Sequence, residues 1–188
     1  MEKQKLFMLM LGCKPVGRQT EQHDIFFSIA SSIEALIPDI FAFWPEAKDK
    51  IHVDAWREVN YVEGCKVEVV DANEVINNEL SLFFLNLGGY RPNEFDEPHY
   101  KMLLATPDKA TAIKQAKETA FYKHTWFEGA TSHIDDKYGV DVDDAFEISD
   151  VLTGTLKSRY KLKLTATDSI SADEIHLGYL PIKSIKGG

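Results

Sequence analysis

A chain of 188 residues, 44% hydrophobic and 27% charged, has the composition of a folded globular protein and the length for one moderate domain or two small ones sharing a core. Its formal net charge of −9 excludes nucleic acid and anionic membrane as main partners, because both are gripped through basic surfaces. Two isolated cysteines, Cys13 and Cys65, exclude a disulfide framework and imply reduced thiols and a cytoplasmic location.

In chain order, Lys5 to Leu11 is an apolar run ending at Gly12, the pattern of a buried strand. Residues 12–20, with two glycines and a proline, form a loop. His23 to Ala30 reads as a second strand. Ser31 with Glu34 forms a capping box that opens a helix, which Pro38 kinks or splits and Pro45 helps stop. Lys50 to Asn60 is a third strand, Gly64 a turn, and Lys66 to Val70 a fourth strand with period-two alternation. Asp71 to Glu79 is a polar link. Leu80 to Leu87 and His99 to Ala105 are strands around a loop at 88–98. Thr106-Pro107-Asp108 then supplies an N-cap, a first-turn proline and an acid for a helix to about Tyr122. In the tail, Arg159 to Thr165 and Ile175 to Ile182 read as a hairpin-like addition. Asp141-Val-Asp-Asp144 reads as an acidic hairpin turn; it lacks the glycine of an EF-hand loop. No run approaches membrane-spanning length.

The chain repeats itself. Leu11, Gly12, Glu21 and His23 return 76 positions later as Leu87, Gly88, Glu97 and His99, without a gap. Ala42-Phe43-Trp44 matches Ala120-Phe121-Tyr122, and His52-Val-Asp54 matches His133-Ile-Asp135 at an offset of 81. Met10-Leu-Gly-Cys13 has the look of a lipoprotein cleavage site. Its stretch recurs mid-chain as Leu82 to Gly88, where a leader has no reason to be copied. The expected fold is therefore α+β: two tandem β-β-α-β-β repeats with pseudo-two-fold symmetry, at 1–72 and 79–152, with a C-terminal β extension at 153–188 packed on them.

With its duplicated Leu-Gly…Glu-x-His and the following His-[Val/Ile]-Asp, the chain resembles the bacterial domain-of-unknown-function family 1543 over roughly residues 5–150. The resemblance implies a bacterial cytosolic protein with no assigned activity. The second copy departs from the first in having Tyr100 where Asp24 stands.

Strand residues i and i+2 share a face, so Glu21-x-His23 and His52-x-Asp54 can each present a carboxylate beside an imidazole. If the second and third strands run parallel through the helix, both pairs lie at one end of the sheet, where the first strand also delivers Gly12. The expected cluster is Gly12, Glu21, His23, His52 and Asp54; a related one would hold Gly88, Glu97, His99, His133 and Asp135. Three readings stand. Carboxylate–histidine hydrogen bonds could tie the loop to the strand starts. The donors could hold a small ligand or a divalent metal such as zinc or non-haem iron, with His23, His52, His99 and His133 as ligands. An acid-oriented histidine could move protons, although no nucleophile is repeated beside it. These give a small-ligand-binding or structural module, a small metal-dependent or acid–base enzyme, or a homo-oligomeric interaction protein; a small-molecule or protein partner is not identified by sequence.

Overall fold

The computed structural model describes residues 2–88, 95, 98–124, 141–168 and 171–185. The strands are β1 (Lys5–Cys13), β2 (Gln22–Ala30), β3 (His52–Glu58), β4 (Tyr61–Val62), β5 (Cys65–Asp71), β6 (Ser81–Gly88), β7 (His99–Thr106), β8 (Asp141–Glu147), β9 (Tyr160–Ala166) and β10 (His176–Pro181). The helices are α1 (Ile37–Phe43), α2 (Lys109–His124), α3 (Ile148–Val151) and α4 (Gly154–Arg159). The mixture of sheets and separate helices is an α+β fold. It divides into two compact units: Met1–Ile76 with Leu152–Gly188, and Asn77–Val151.

The first unit is built on a four-stranded antiparallel sheet in the order β10-β3-β1-β2. β2 and β3 both run antiparallel to β1, so they share a direction but are separated by it. Alternation along β1 sends Phe7, Leu9, Leu11 and Cys13 to one face, where they pack with Phe26 of β2, Leu36, Ile40 of α1, Ile51 and Val53 of β3. Pro38 lies in the first turn of α1 and cannot donate to a preceding turn, so the chain enters through a 3-10 turn, Glu34–Leu36. Its cap is Ser32, whose hydroxyl accepts from the Ala35 amide at 3.3 Å, one residue later than the capping box predicts. A second sheet, β4-β5-β9, completes the unit.

The tail is not a hairpin. β9 pairs with β5 over seven residues, and β10 pairs with β3 in the other sheet. After Ala166 the Thr167 amide bonds Gly64 O at 2.8 Å, and Asp173 then accepts from the Asn60 and Tyr61 amides at 3.1–3.3 Å. These anchors route the chain from one sheet to the next, and the two apolar stretches never meet.

The second unit holds a three-stranded antiparallel sheet, β7-β6-β8. α2 covers one face, with Ala112 and Ala116, one helical turn apart, closing on Phe83, Leu85, Leu87, Met102 and Leu104. The Asp108 carboxylate, not Thr106, caps α2, accepting from the Thr111 amide at 2.8 Å; that bond holds the Asp108 carboxyl below its usual range. Two expectations fail here. Asp141–Glu147 is a strand rather than an acidic turn, because Val142 pairs opposite Leu87 and the acids line the ladder. Ile148, aligned with Val67 of the fourth strand, begins the short helix α3 instead.

Two measurements test this core. Leu9 is fully buried, so Leu9→Ala should lower unfolding free energy by about 2–5 kcal/mol in chemical denaturation. Leu177, on the outer strand and 79% exposed, should cost less than about 0.5 kcal/mol as Leu177→Ala. Cys13 and Cys65 are free and buried, and burial pushes both thiols above their ordinary value of 9.0. Above that value the unfolded chain releases thiol protons that the folded chain retains. Stability measured by denaturant titration should therefore fall as pH rises beyond 9.0, and should fall less in the Cys13→Ala, Cys65→Ala double variant.

Candidate functional site

One cross-strand row organises the polar cluster of the first unit. Pro181 of β10 pairs with His52, His52 with Gly12, and Gly12 with His23. The two histidines thus stand on either side of a residue with no side chain. The His52 imidazole and the Asp54 carboxylate lean over it: a Cβ built on Gly12 would overlap Asp54 Oδ2 and His52 Nε2. Glycine is required here because the polar atoms occupy the volume that any other residue would fill.

Asp54 joins them through a bulge. Met10 and Leu11 are consecutive, but their partners in β3 are Ala55 and Val53, so Asp54 is the extra residue. On the other side, Leu177 and Leu180 pair with Ala55 and Val53, which sets Gly178 and Tyr179 opposite Asp54. Gly178 takes φ +127°, a conformation open to glycine. The Tyr179 ring lies 4.4 Å from the His52 ring, and His176 stacks on Trp56 at 3.9 Å.

The distances are short. His52 Nε2 lies 2.9 Å from Glu21 Oε1 and 3.4 Å from Asp54 Oδ2. His23 Nε2 lies 3.3 Å from the same Asp54 oxygen and 4.0 Å from Glu21 Oε2. The structure therefore brings Gly12, Glu21, His23, His52 and Asp54 together. The His52 side chain is 5% exposed, whereas those of His23 and Glu21 are 42% and 45% exposed.

Proximity is not pairing. His52 Nε2 and Asp54 Oδ2 are both buried without a hydrogen-bond partner. His52 Nδ1 lies 3.3 Å from the Lys50 carbonyl, and as the donor there it leaves Nε2 with a lone pair. That lone pair faces two carboxylates, which when ionised accept and do not donate. With that tautomer the cluster is a concentration of acceptors.

The second unit repeats the row with other chemistry. Gly88 pairs with His99 on one side and Asp141 on the other, and Asp143 is the bulged residue, skipped between Asn86 and Leu87. His99 Nε2 and Asp143 Oδ2 are 3.0 Å apart, and a Cβ on Gly88 would overlap the Asp143 carboxylate. The register position held by His52 against Gly12 is thus held against Gly88 by Asp141. Glu97, His133 and Asp135 lie outside the described residues. The sequence carried the signal for Asp141 and Asp143: His52-Val-Asp-Ala-Trp-Arg-Glu58 and Asp141-Val-Asp-Asp-Ala-Phe-Glu147 share Val, Asp and Glu in register. Tyr179, by contrast, sits in a tail with no counterpart in the first copy, and nothing in the sequence marked it.

Comparison with known proteins places these residues. Residues 18–69 match the family described as Domain of Unknown Function (DUF1543), a span that includes Glu21, His23, His52 and Asp54. No curated protein matches the chain. The fold is similar to the crystal structure of a protein, Il1583, from Idiomarina loihiensis, at TM-score 0.62 and 19% identity, covering 95% of this chain and 97% of that one. Among the described residues, no helix is long and apolar enough to cross a membrane.

Filling the gap over Gly12 should displace the cluster. Gly12→Ala is expected to lower stability by about 1–3 kcal/mol, the range for overpacking. In the Asp54→Gly background the same change should cost less, as a double-mutant cycle in denaturant would show.

Proposed function

We propose that this chain is a bacterial, cytoplasmic ligand-binding module made of two copies of one unit, and that the polar cluster over Gly12 takes a small ligand bringing positive charge or hydrogen-bond donors. One observation carries the reading: the buried Nε2 of His52 has no hydrogen-bond partner although it lies 2.9 Å from Glu21 Oε1 and 3.4 Å from Asp54 Oδ2. A tie between loop and strand requires its polar groups to be paired. Buried acceptors without a hydrogen-bond partner cost about 1–3 kcal/mol each, and a cation or donor bound at the cluster removes that cost. The partly exposed Glu21 and His23 put the outer side of the cluster in contact with solvent.

Duplication is supported by the equivalent rows His52–Gly12–His23 and Asp141–Gly88–His99, each with a bulged aspartate. Location in the cytoplasm is supported by the two unbridged cysteines, and the absence of a nucleic-acid partner by the net charge of −9.

Thermal denaturation with small primary amines, guanidines and divalent cations tests the reading. A ligand at a hundred times its Kd should add about 2.7 kcal/mol, raising Tm in the wild-type chain and not in Asp54→Asn. If no compound in the panel raises Tm and Asp54→Asn is less stable than wild type, the cluster is a structural tie and the binding reading fails.

A further inference from the structure

Resting on that reading, the geometry points to a divalent transition metal of the zinc class as the ligand, held by His23, His52, Asp54 and Glu21. Zinc binds imidazole nitrogen and carboxylate oxygen at about 2.0–2.2 Å in tetrahedral sites, which sets neighbouring donor atoms about 3.3–3.5 Å apart. His23 Nε2 and His52 Nε2 lie 3.3 and 3.4 Å from Asp54 Oδ2. Two edges of a tetrahedron are thus already at that spacing, across three strands of the sheet.

The outer contacts agree. A metal-bound imidazole usually donates its other N–H to a carbonyl or carboxylate, fixing the ring and the tautomer. His52 Nδ1 against the Lys50 carbonyl at 3.3 Å is such a contact. It aims the free lone pair at the place where the donors converge. Two nitrogens with two oxygens suit zinc, cobalt or iron. They do not suit magnesium or calcium, which take oxygen shells.

Among the described residues, no group of three or more His, Cys, Asp or Glu side chains is in place to hold a metal ion, so the proposed site requires a side chain to move. The open part is Glu21, 2.9 Å from one imidazole and 4.0 Å from the other. It precedes β2 on the loop side, and its side chain is 45% exposed. Ion binding draws it in to make the two separations more nearly equal. The buried His52 and Asp54 set the position, and the exposed Glu21 and His23 close on the ion.

Titration of the full chain, purified without a histidine tag and stripped with chelator, tests this with cobalt(II) as the probe. One equivalent should bind with the intense visible absorption of a four-coordinate centre, and zinc(II) should bleach it. His52→Ala and Asp54→Asn should abolish the band. Glu21→Gln, at an exposed loop position that leaves the sheet intact, should weaken binding at least about tenfold, so the test survives if a buried variant does not fold. A wild-type chain that gives no band and binds no equivalent of either metal overturns the inference. If amines or guanidines still raise its Tm, the binding reading stands without the metal; if they do not, both fall together. A band that survives unchanged in Asp54→Asn and Glu21→Gln also overturns the assignment.

Discussion

The missing side chain at Gly12 is the constraint on which the rest of the first unit turns. Strand pairing fixes the two histidines in one row, two strands apart, a separation of about 9–10 Å between backbones. Their rings can approach a common carboxylate only by crossing the strand between them. Any Cβ on that strand would stand in the way. The bulge that delivers Asp54 and the glycine that makes room for it are therefore one device. The short apolar strands around it, with Leu9, Leu11 and Val53 fully buried, hold the row rigid. The sheet, not the loop, sets the spacing of the donors.

Much of this was legible in the residues. The strands of the first unit follow their apolar runs, and the Gly–Glu–His set of the first two strands converges as the spacing implies. The helix starts were less legible, because local chemistry offered several caps within a few residues: Ser32 in place of Ser31, Asp108 in place of Thr106. The third strand of the second unit was misread for a clearer reason. His133-Ile-Asp135 resembles His52-Val-Asp54 as text, but a sheet is registered by pairing of its apolar residues, and Val142 opposite Leu87 fixes Asp141 against Gly88. Pairing the two units by identical letters hid a pairing by position. The tail strands were recognisable by alternation, but their partners, β5 and β3, are remote in sequence and no local pattern announces them.

The two units show how one architecture supports different chemistry. Each has a glycine in the middle strand, a histidine across the hairpin and a bulged aspartate. At the third position of the row, His52 of the first unit is replaced in register by Asp141 of the second. Fold and donor set are thus separable, which is why likeness of fold to another protein leaves the chemistry of this one to its own side chains.

The first unit is discontinuous: its sheet is completed by β10, encoded more than a hundred residues after β3. During synthesis the whole second unit is translated before β10 exists. Until then β3 is a bare edge, its backbone groups unpaired beside His52. Biogenesis therefore has an order built into it, in which Tyr179, whose ring lies 4.4 Å from that of His52, is translated after both strands that carry the histidines.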